Sequence, residues 1–110
     1  MQYVITEYFK KHLKAYLKKY RSLLEDVICA LENFDHRTSI SLGYGTYKVR
    51  IKSSDLNKGK SGGFRLIILI LEVNQLITPI VIYFKGEKSD ISKEEILFHA
   101  AFVQKELESR

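Results

Sequence analysis

Hydrophobic residues recur at helical spacing in two consecutive segments near the amino terminus, after a short strand predicted over residues 3–5. Thr6 is placed to cap the first helix, and Ser22 with Glu25 forms a capping-box pattern at the start of the second. The apolar positions are Phe9, Leu13, Tyr16, Leu17 and Tyr20, followed by Leu23, Leu24, Val27, Ile28 and Leu31. The pattern therefore predicts a helix hairpin with one apolar face.

The middle of the chain changes to the two-residue period of strands. Three apolar residues alternate with three cations, namely Tyr47, Val49 and Ile51 with Lys48, Arg50 and Lys52. The run FRLIILILEV at residues 64–73 is apolar on both faces, which predicts a central strand covered on both sides. Residues 76–84 return as the next strand. Pro79 predicts that this strand lies at an edge or is bulged, because proline cannot donate to a ladder.

A carboxy-terminal helix completes the pattern, with Ser92 and Glu95 as its capping box. Residues 33–44 are interpreted as a polar connection into the basic strand. The predicted order is βααβββα, an α+β fold with a four-stranded, largely antiparallel sheet on which the helix hairpin and the last helix pack. The amino-terminal strand is expected beside the basic strand. Residues 1–110 are expected to form one domain.

Composition narrows the class of protein. The 110 residues are 45% hydrophobic, and the single cysteine, Cys29, can form no internal disulfide, which fits a reducing compartment. The amino terminus lacks the apolar segment of a signal peptide. The longest apolar run, residues 66–71, is far shorter than the roughly 20 residues of a membrane span. The sequence therefore predicts a soluble, cytoplasmic protein.

Positive charge is concentrated in one segment. Residues 46–65 hold six cations against Asp55 alone, which equals the formal net charge of +5 of the whole chain. The alternation places Lys48, Arg50 and Lys52 on one face of the strand. A solvated sheet face is the simpler interpretation. Like charges at adjacent outward positions repel one another, however, so a surface that binds a polyanion explains them better.

The loop after the basic strand has the sequence KGKSGG, which includes Lys58 and Lys60. It is not a nucleoside-triphosphate loop, because the first glycine of that motif would fall at Ser54 and the motif must open a helix. Its glycines would let backbone N–H groups approach a phosphate. A hairpin loop made soluble by lysines is the alternative.

Arg65 opens the apolar strand and is the most specific candidate for phosphate binding. Its guanidinium can clamp a phosphate at two points, and a structural pairing with Glu72 or Asp90 is the alternative. The cations of the first helix are interpreted as a solvated face, with contact to ribosomal RNA as a secondary role; they are Lys10, Lys11, Lys14, Lys18, Lys19 and Arg21. No metal-ligand spacing joins His12, His36, His99 and Cys29, so no metal is predicted.

The elements YKVRIKSSD and KGKSGGFRLI, with VIYFKGEKSDIS after them and the helix hairpin before them, resemble the RelE/ParE superfamily of bacterial type II toxins. The resemblance is closest to the HigB-type branch, covers nearly the whole chain, and implies one RelE-like toxin domain. It also implies a ribosome-dependent mRNA endonuclease that a cognate antitoxin of helix-turn-helix type neutralises. The implied reaction is in-line attack of a ribose 2′-OH on the adjacent phosphate, with no cofactor.

The resemblance also implies roles for single residues. The implied catalytic residues are Lys48, Arg50, Arg65 and Lys85, and the expected RNA-binding residues are Lys52, Lys58 and Lys60. Lys48 is the leading candidate for the general base, with neighbouring cations expected to lower its pKa. The chain departs from the family pattern at Gly86 and Ser92, where RelE has an arginine and a tyrosine.

Two other functions stay open. One is a non-catalytic inhibitor like the ParE side of the superfamily, which poisons DNA gyrase, and the other is a module that binds RNA without cutting it. The basic strand and Arg65 favour RNA cleavage over gyrase inhibition, because ParE proteins lack that basic set. The expected partners are the antitoxin, the ribosome and mRNA, and no membrane.

Overall fold

The computed structural model describes residues 1–51 and 63–110. Its elements, in chain order, are β1 (Gln2–Tyr3), α1 (Glu7–Leu17), α2 (Leu23–Glu32), β2 (Ile40–Gly43), β3 (Thr46–Ile51), β4 (Phe64–Leu71), β5 (Leu76–Phe84) and α3 (Lys93–Glu108). The α+β class, the helix hairpin and the last helix are confirmed. Lys52, Lys58 and Lys60 lie outside the described residues.

The described strands form one mixed sheet in the order β1-β5-β4-β3-β2. β1 pairs in parallel with β5, and the other pairings are antiparallel. The expectation that β1 lies beside the basic strand is therefore wrong. The backbone N–H groups of Gln2 and Val4 donate to the carbonyls of Gln75 and Ile77, so β1 covers the edge of β5.

β2 corrects the expectation of a four-stranded sheet. Ile40 and Leu42 alternate with polar positions in the segment that its composition predicts to be a connection, and β2 pairs antiparallel with β3. Tyr44 and Gly45 form the hairpin loop, with φ of 55° and 76°. Two successive positive φ values are the geometry of a type I′ turn. The observed order of the described elements is therefore βααββββα.

Pro79 lies at a bulge. Ile67 pairs with Val81 whereas Ile68 pairs with Pro79, so Ile80 is the additional residue on β5. Of the two alternatives predicted for this strand, the bulge is confirmed. The edge position is wrong, because β5 has β1 on one side and β4 on the other.

The side chains of β4 alternate between two hydrophobic cores. Phe64, Leu66 and Ile68 pack with α1 and α2, whereas Ile67 and Leu69 pack with residues of α3 and the segment before it. The prediction of a central strand covered on both faces is confirmed. Because the two faces bury different helices, the side of β4 on which a residue lies decides which neighbours it meets.

Two of the three helix caps predicted from the sequence are confirmed. The Thr6 hydroxyl accepts the N–H of Phe9 at 3.1 Å, and Ser92 with Glu95 forms a complete capping box at α3. The capping box expected at Ser22 is wrong, because the backbone there is not extended and the side chain makes no capping hydrogen bond. Across residues 1–51 and 63–110, no helix is both long and apolar enough to cross a membrane.

Candidate active site

One end of the α3-facing side of the sheet carries a row of three polar side chains. Arg50 of β3 is directly opposite Arg65 of β4, and Arg65 is directly opposite Tyr83 of β5. Facing residues on neighbouring strands have Cβ atoms about 5 Å apart on the same side of the sheet. We call these residues the Arg50–Arg65–Tyr83 row. The pairing of β3 with β4 therefore brings Arg65 beside the basic strand.

Arg65 is almost completely buried, with 6% of its surface exposed, whereas Arg50 is exposed. The Nη1 atom of Arg65 donates to the Phe64 carbonyl at 3.4 Å. A buried guanidinium beside a second arginine is unfavourable for folding unless other groups compensate for it. Arg65 is the middle residue of the row, and its neighbour Phe64 is buried in the core on the opposite face of the sheet.

Lys48 is the next residue of β3 on the same side as Arg50. Its Nζ atom donates to Oδ1 of Asp90 at 3.1 Å, and only 20% of the lysine side chain is exposed. The Asp90 pairing that the sequence offered for Arg65 is therefore a pairing with Lys48. In this contact Lys48 is the donor and the Asp90 carboxylate is the acceptor. The general-base role expected for Lys48 stays a prediction.

Asp90 lies between β5 and α3 and collects more than one interaction. The backbone N–H of Ile91 donates to its Oδ1 atom at 2.8 Å, and this bond, together with Lys48, lowers the pKa of the Asp90 carboxyl. The side chain is still 68% exposed. An accessible carboxylate with a lowered pKa therefore stands beside Lys48 of the sheet.

Tyr83 is the residue that sequence reasoning missed. The residue is 4% exposed, and its hydroxyl interacts with the Asp90 carboxylate. Burial raises the pKa of Tyr83 and the nearby Asp90 also raises it, while Lys48 and Arg65 act in the opposite direction. In the sequence, Tyr83 lies two residues before Lys85 and so on the same face of the strand. Its position opposite Arg65, however, depends on the bulge at Ile80.

Lys85 follows β5 directly and is exposed. Its backbone N–H donates to the carbonyl of Gly63 at 2.9 Å, so the backbone pairing of β4 and β5 extends one step beyond the row. This hydrogen bond brings Lys85 to the same end of the sheet as Arg65. Its side chain has no ion pair within residues 1–51 and 63–110, and its role stays a prediction.

The two positions that depart from the family pattern are now located. Ser92 uses its hydroxyl to cap α3, where it accepts the N–H of Glu95 at 3.1 Å. It therefore has a structural role, and the hydroxyl of the row comes from Tyr83 instead. Gly86 lies in the turn after β5, and the turn is closed by N–H groups of Glu87 and Lys88 that donate to the Phe84 carbonyl.

The histidines are not gathered at the row. His99 of α3 and the Tyr8 hydroxyl of α1 are hydrogen-bonded at 2.6 Å, and burial lowers the pKa of His99. His99 is thus a packed histidine at the contact between two helices. In the part of the chain that the structure describes, no group of three or more His, Cys, Asp or Glu side chains could hold a metal ion.

The chain is similar to the solved structure of an E. coli toxin RelE double mutant in the free state, with a TM-score of 0.50 and 16% sequence identity. Its mixed sheet, with the helix hairpin on one face and α3 on the other, is therefore RelE-like in fold. The match covers 91% of this chain and 93% of that chain. No protein-family model and no curated protein matches the sequence.

Proposed function

We propose that this chain is the toxin of a type II toxin–antitoxin system and cuts mRNA on the ribosome. The observation that carries the proposal is the Arg50–Arg65–Tyr83 row, which aligns two guanidinium groups and a phenol on three adjacent strands with Lys48 beside them. The RelE-like fold supports it, and the sequence resemblance favours the HigB-type branch.

The row offers the groups that cleavage of an RNA phosphodiester requires. A 2′-OH attacks the adjacent phosphorus, the bond to the 5′-oxygen breaks, and the products are a 2′,3′-cyclic phosphate and a 5′-hydroxyl. The guanidinium groups of Arg50 and Arg65 stabilise the charge on the non-bridging oxygens. Lys48, whose Nζ atom is positioned by its contact with Asp90, donates a proton to the leaving oxygen.

The acceptor of the 2′-OH proton is a phenol in this proposal. The Tyr83 hydroxyl stands in the row; burial is the largest effect on it and raises its pKa, and the cations of Lys48 and Arg65 act in the opposite direction. We assign Tyr83 as the acceptor and Lys48 as the donor. The reaction requires no cofactor, and a cognate antitoxin of helix-turn-helix type, the ribosome and mRNA are the proposed partners.

Primer extension on mRNA during translation in a purified system tests the proposal. We expect wild-type protein to produce cuts within the ribosomal A site, and Arg65→Ala to abolish them while the circular dichroism spectrum is unchanged. Lys105→Ala removes an exposed cation from the last turn of α3 and should cut like wild type.

The same assay separates the alternatives. Intact mRNA together with arrested gyrase would favour the ParE-like inhibitor. Intact mRNA together with tight, salt-sensitive RNA binding would favour a module that binds without cleavage. Normal growth of cells that express the chain strongly without an antitoxin would contradict the toxin assignment.

A further inference from the structure

The position of Asp90 is fixed by the two residues that follow it in the chain. Ile91 is buried in the core under α3, and Ser92 begins the helix with a capping box. The Ile91 N–H also donates to the Asp90 carboxylate at 2.8 Å. The carboxylate is therefore held by the start of α3, although most of its surface is exposed to solvent.

Asp90 also contacts the end of the sheet that carries Lys48 and the Arg50–Arg65–Tyr83 row. Its Oδ1 atom accepts Lys48 Nζ at 3.1 Å, and its charge acts on the Tyr83 hydroxyl. One carboxylate thus connects the proposed proton donor with the proposed proton acceptor. Those two groups lie on strands β3 and β5, which β4 separates.

A carboxylate in a site for a phosphate opposes binding. It brings negative charge close to the phosphodiester, and it neutralises part of the positive charge that attracts RNA. A surface built only to bind a polyanion would bind it more tightly without this side chain. The contact is therefore better explained by an effect on the arrangement of the site than by an effect on affinity.

We propose that Asp90 is a positioning residue of the proposed endonuclease, which holds the Lys48 ammonium over β4 and near Tyr83. This inference rests on the proposed function. A positioning role predicts different effects on the cleavage rate and on the affinity for RNA. Loss of the carboxylate should slow the chemical step while RNA binding stays equal or becomes tighter.

The main experiment compares Asp90→Asn with Glu94→Gln. Glu94 is an exposed carboxylate in the first turn of α3, so its substitution removes the same charge from the same region. We expect Asp90→Asn to lower the single-turnover cleavage rate by about 10- to 100-fold. Affinity is measured with an mRNA that carries a 2′-deoxy nucleotide at the cut site, and it should not fall. Glu94→Gln should match wild type in both measurements.

A double-mutant cycle with Lys48→Gln tests the contact itself. If Asp90 acts through Lys48, the double variant should cut no more slowly than Lys48→Gln alone. Multiplicative losses would overturn the inference. Cleavage by Asp90→Asn at or above the wild-type rate would also overturn it, since that result identifies the carboxylate as an inhibitory counter-ion. An equal loss of rate in Glu94→Gln would overturn it too, because it would identify a general charge effect.

A measurement that needs no activity keeps this inference separate from the proposed function. NMR titration of labelled tyrosines, with Tyr83→Phe to assign the signal, reports the pKa of Tyr83 directly. We expect that pKa to fall in Asp90→Asn, because Asp90 raises it in wild type. If wild type cuts no mRNA, the proposed function fails whatever the titration gives. If the Tyr83 titration is unchanged in Asp90→Asn, the inference fails whatever the protein cuts.

Discussion

Two regions of this molecule concentrate positive charge, and they are built in different ways. On the sheet, Lys48, Arg50 and Arg65 converge on one face, where Arg65 is buried and Lys48 has an acidic partner. On α1 and the turn after it, every cation is exposed: Lys10, Lys11, Lys14, Lys18, Lys19 and Arg21. We call this second set the α1 basic face.

The difference lies in the free energy that each arrangement requires. Exposed cations on a helix are solvated, and their ion pairs, such as the 3.5 Å contact of Lys10 with Glu7, contribute little to stability. A buried arginine directly opposite a second arginine has given up most of its hydration and is repelled by its neighbour. Charge in such a position indicates function more strongly than the same amount of charge on a solvated face.

Replacement of Arg65 should give the largest effect on activity. We expect Arg65→Ala to lower the cleavage rate about 10²- to 10³-fold, the usual loss when one group that stabilises a developing negative charge is removed. Arg65→Lys keeps the charge but not the two-point geometry, so it should recover only part of the rate. Rates are measured in single turnover on translating ribosomes. A lysine variant with full activity would show that charge alone matters in the row.

Removal of the Tyr83 hydroxyl should give the second-largest effect on activity. We expect Tyr83→Phe to lower the rate about 10²-fold, the lower end of the usual loss for a general base, because a proton acceptor is removed while the ring is kept. The free energy of unfolding should fall by no more than about 1 kcal/mol, since the Asp90 carboxylate with which the hydroxyl interacts is mostly exposed. Urea unfolding checks stability. A variant that loses stability and keeps its rate would make Tyr83 a packing residue.

The sequence predicted the basic strand and its pairing better than it predicted the row. The alternation of Lys48 and Arg50 with apolar neighbours determined their face, and the hairpin put Arg65 beside them. Tyr83 could not be assigned in the same way. Its register to Arg65 depends on the extra residue at Ile80, and a shift of one residue moves a side chain to the other face of a sheet.

The strand order shows a second limit of the sequence. Pro79 predicted an edge or a bulge, and local chemistry does not choose between them. A distant segment makes the choice, since β1 pairs with β5 and the Thr78 hydroxyl donates to the Val4 carbonyl at 2.7 Å. The Lys48–Asp90 contact is similar in kind. It joins residues 42 positions apart, through a turn whose path no sequence pattern describes.

The α1 basic face should give a smaller effect of a different kind. We expect the triple variant Lys11→Gln, Lys14→Gln and Lys18→Gln to weaken ribosome binding less than about tenfold at moderate salt. The slope of log affinity against log salt should decrease by up to about one for each phosphate that is no longer bound. The cleavage rate of bound complexes should not change. A fall in rate as large as that of Arg65→Ala would erase the distinction between the two regions.

The smallest expected effect is the pH dependence of the Lys48–Asp90 pair. The pKa of Asp90 is below its ordinary value in the folded protein, chiefly through the Ile91 N–H and then through Lys48. Stability from such a carboxylate is present in full above its unfolded pKa of about 3.9 and disappears as pH falls through the lower folded value.

The thermal midpoints of wild type and Asp90→Asn, compared from about pH 7 to about pH 2.5, isolate this contribution from that of the other carboxyl groups. We expect the difference between the two midpoints to be constant near neutral pH and to shrink below about pH 4. In the background of Lys48→Gln, the lysine's part of the difference should be absent, while the part due to the Ile91 N–H should remain. A difference independent of pH would mean that the carboxylate is held equally well in its protonated form. The sheet cations would then lack the counter-ion that distinguishes them from the α1 basic face.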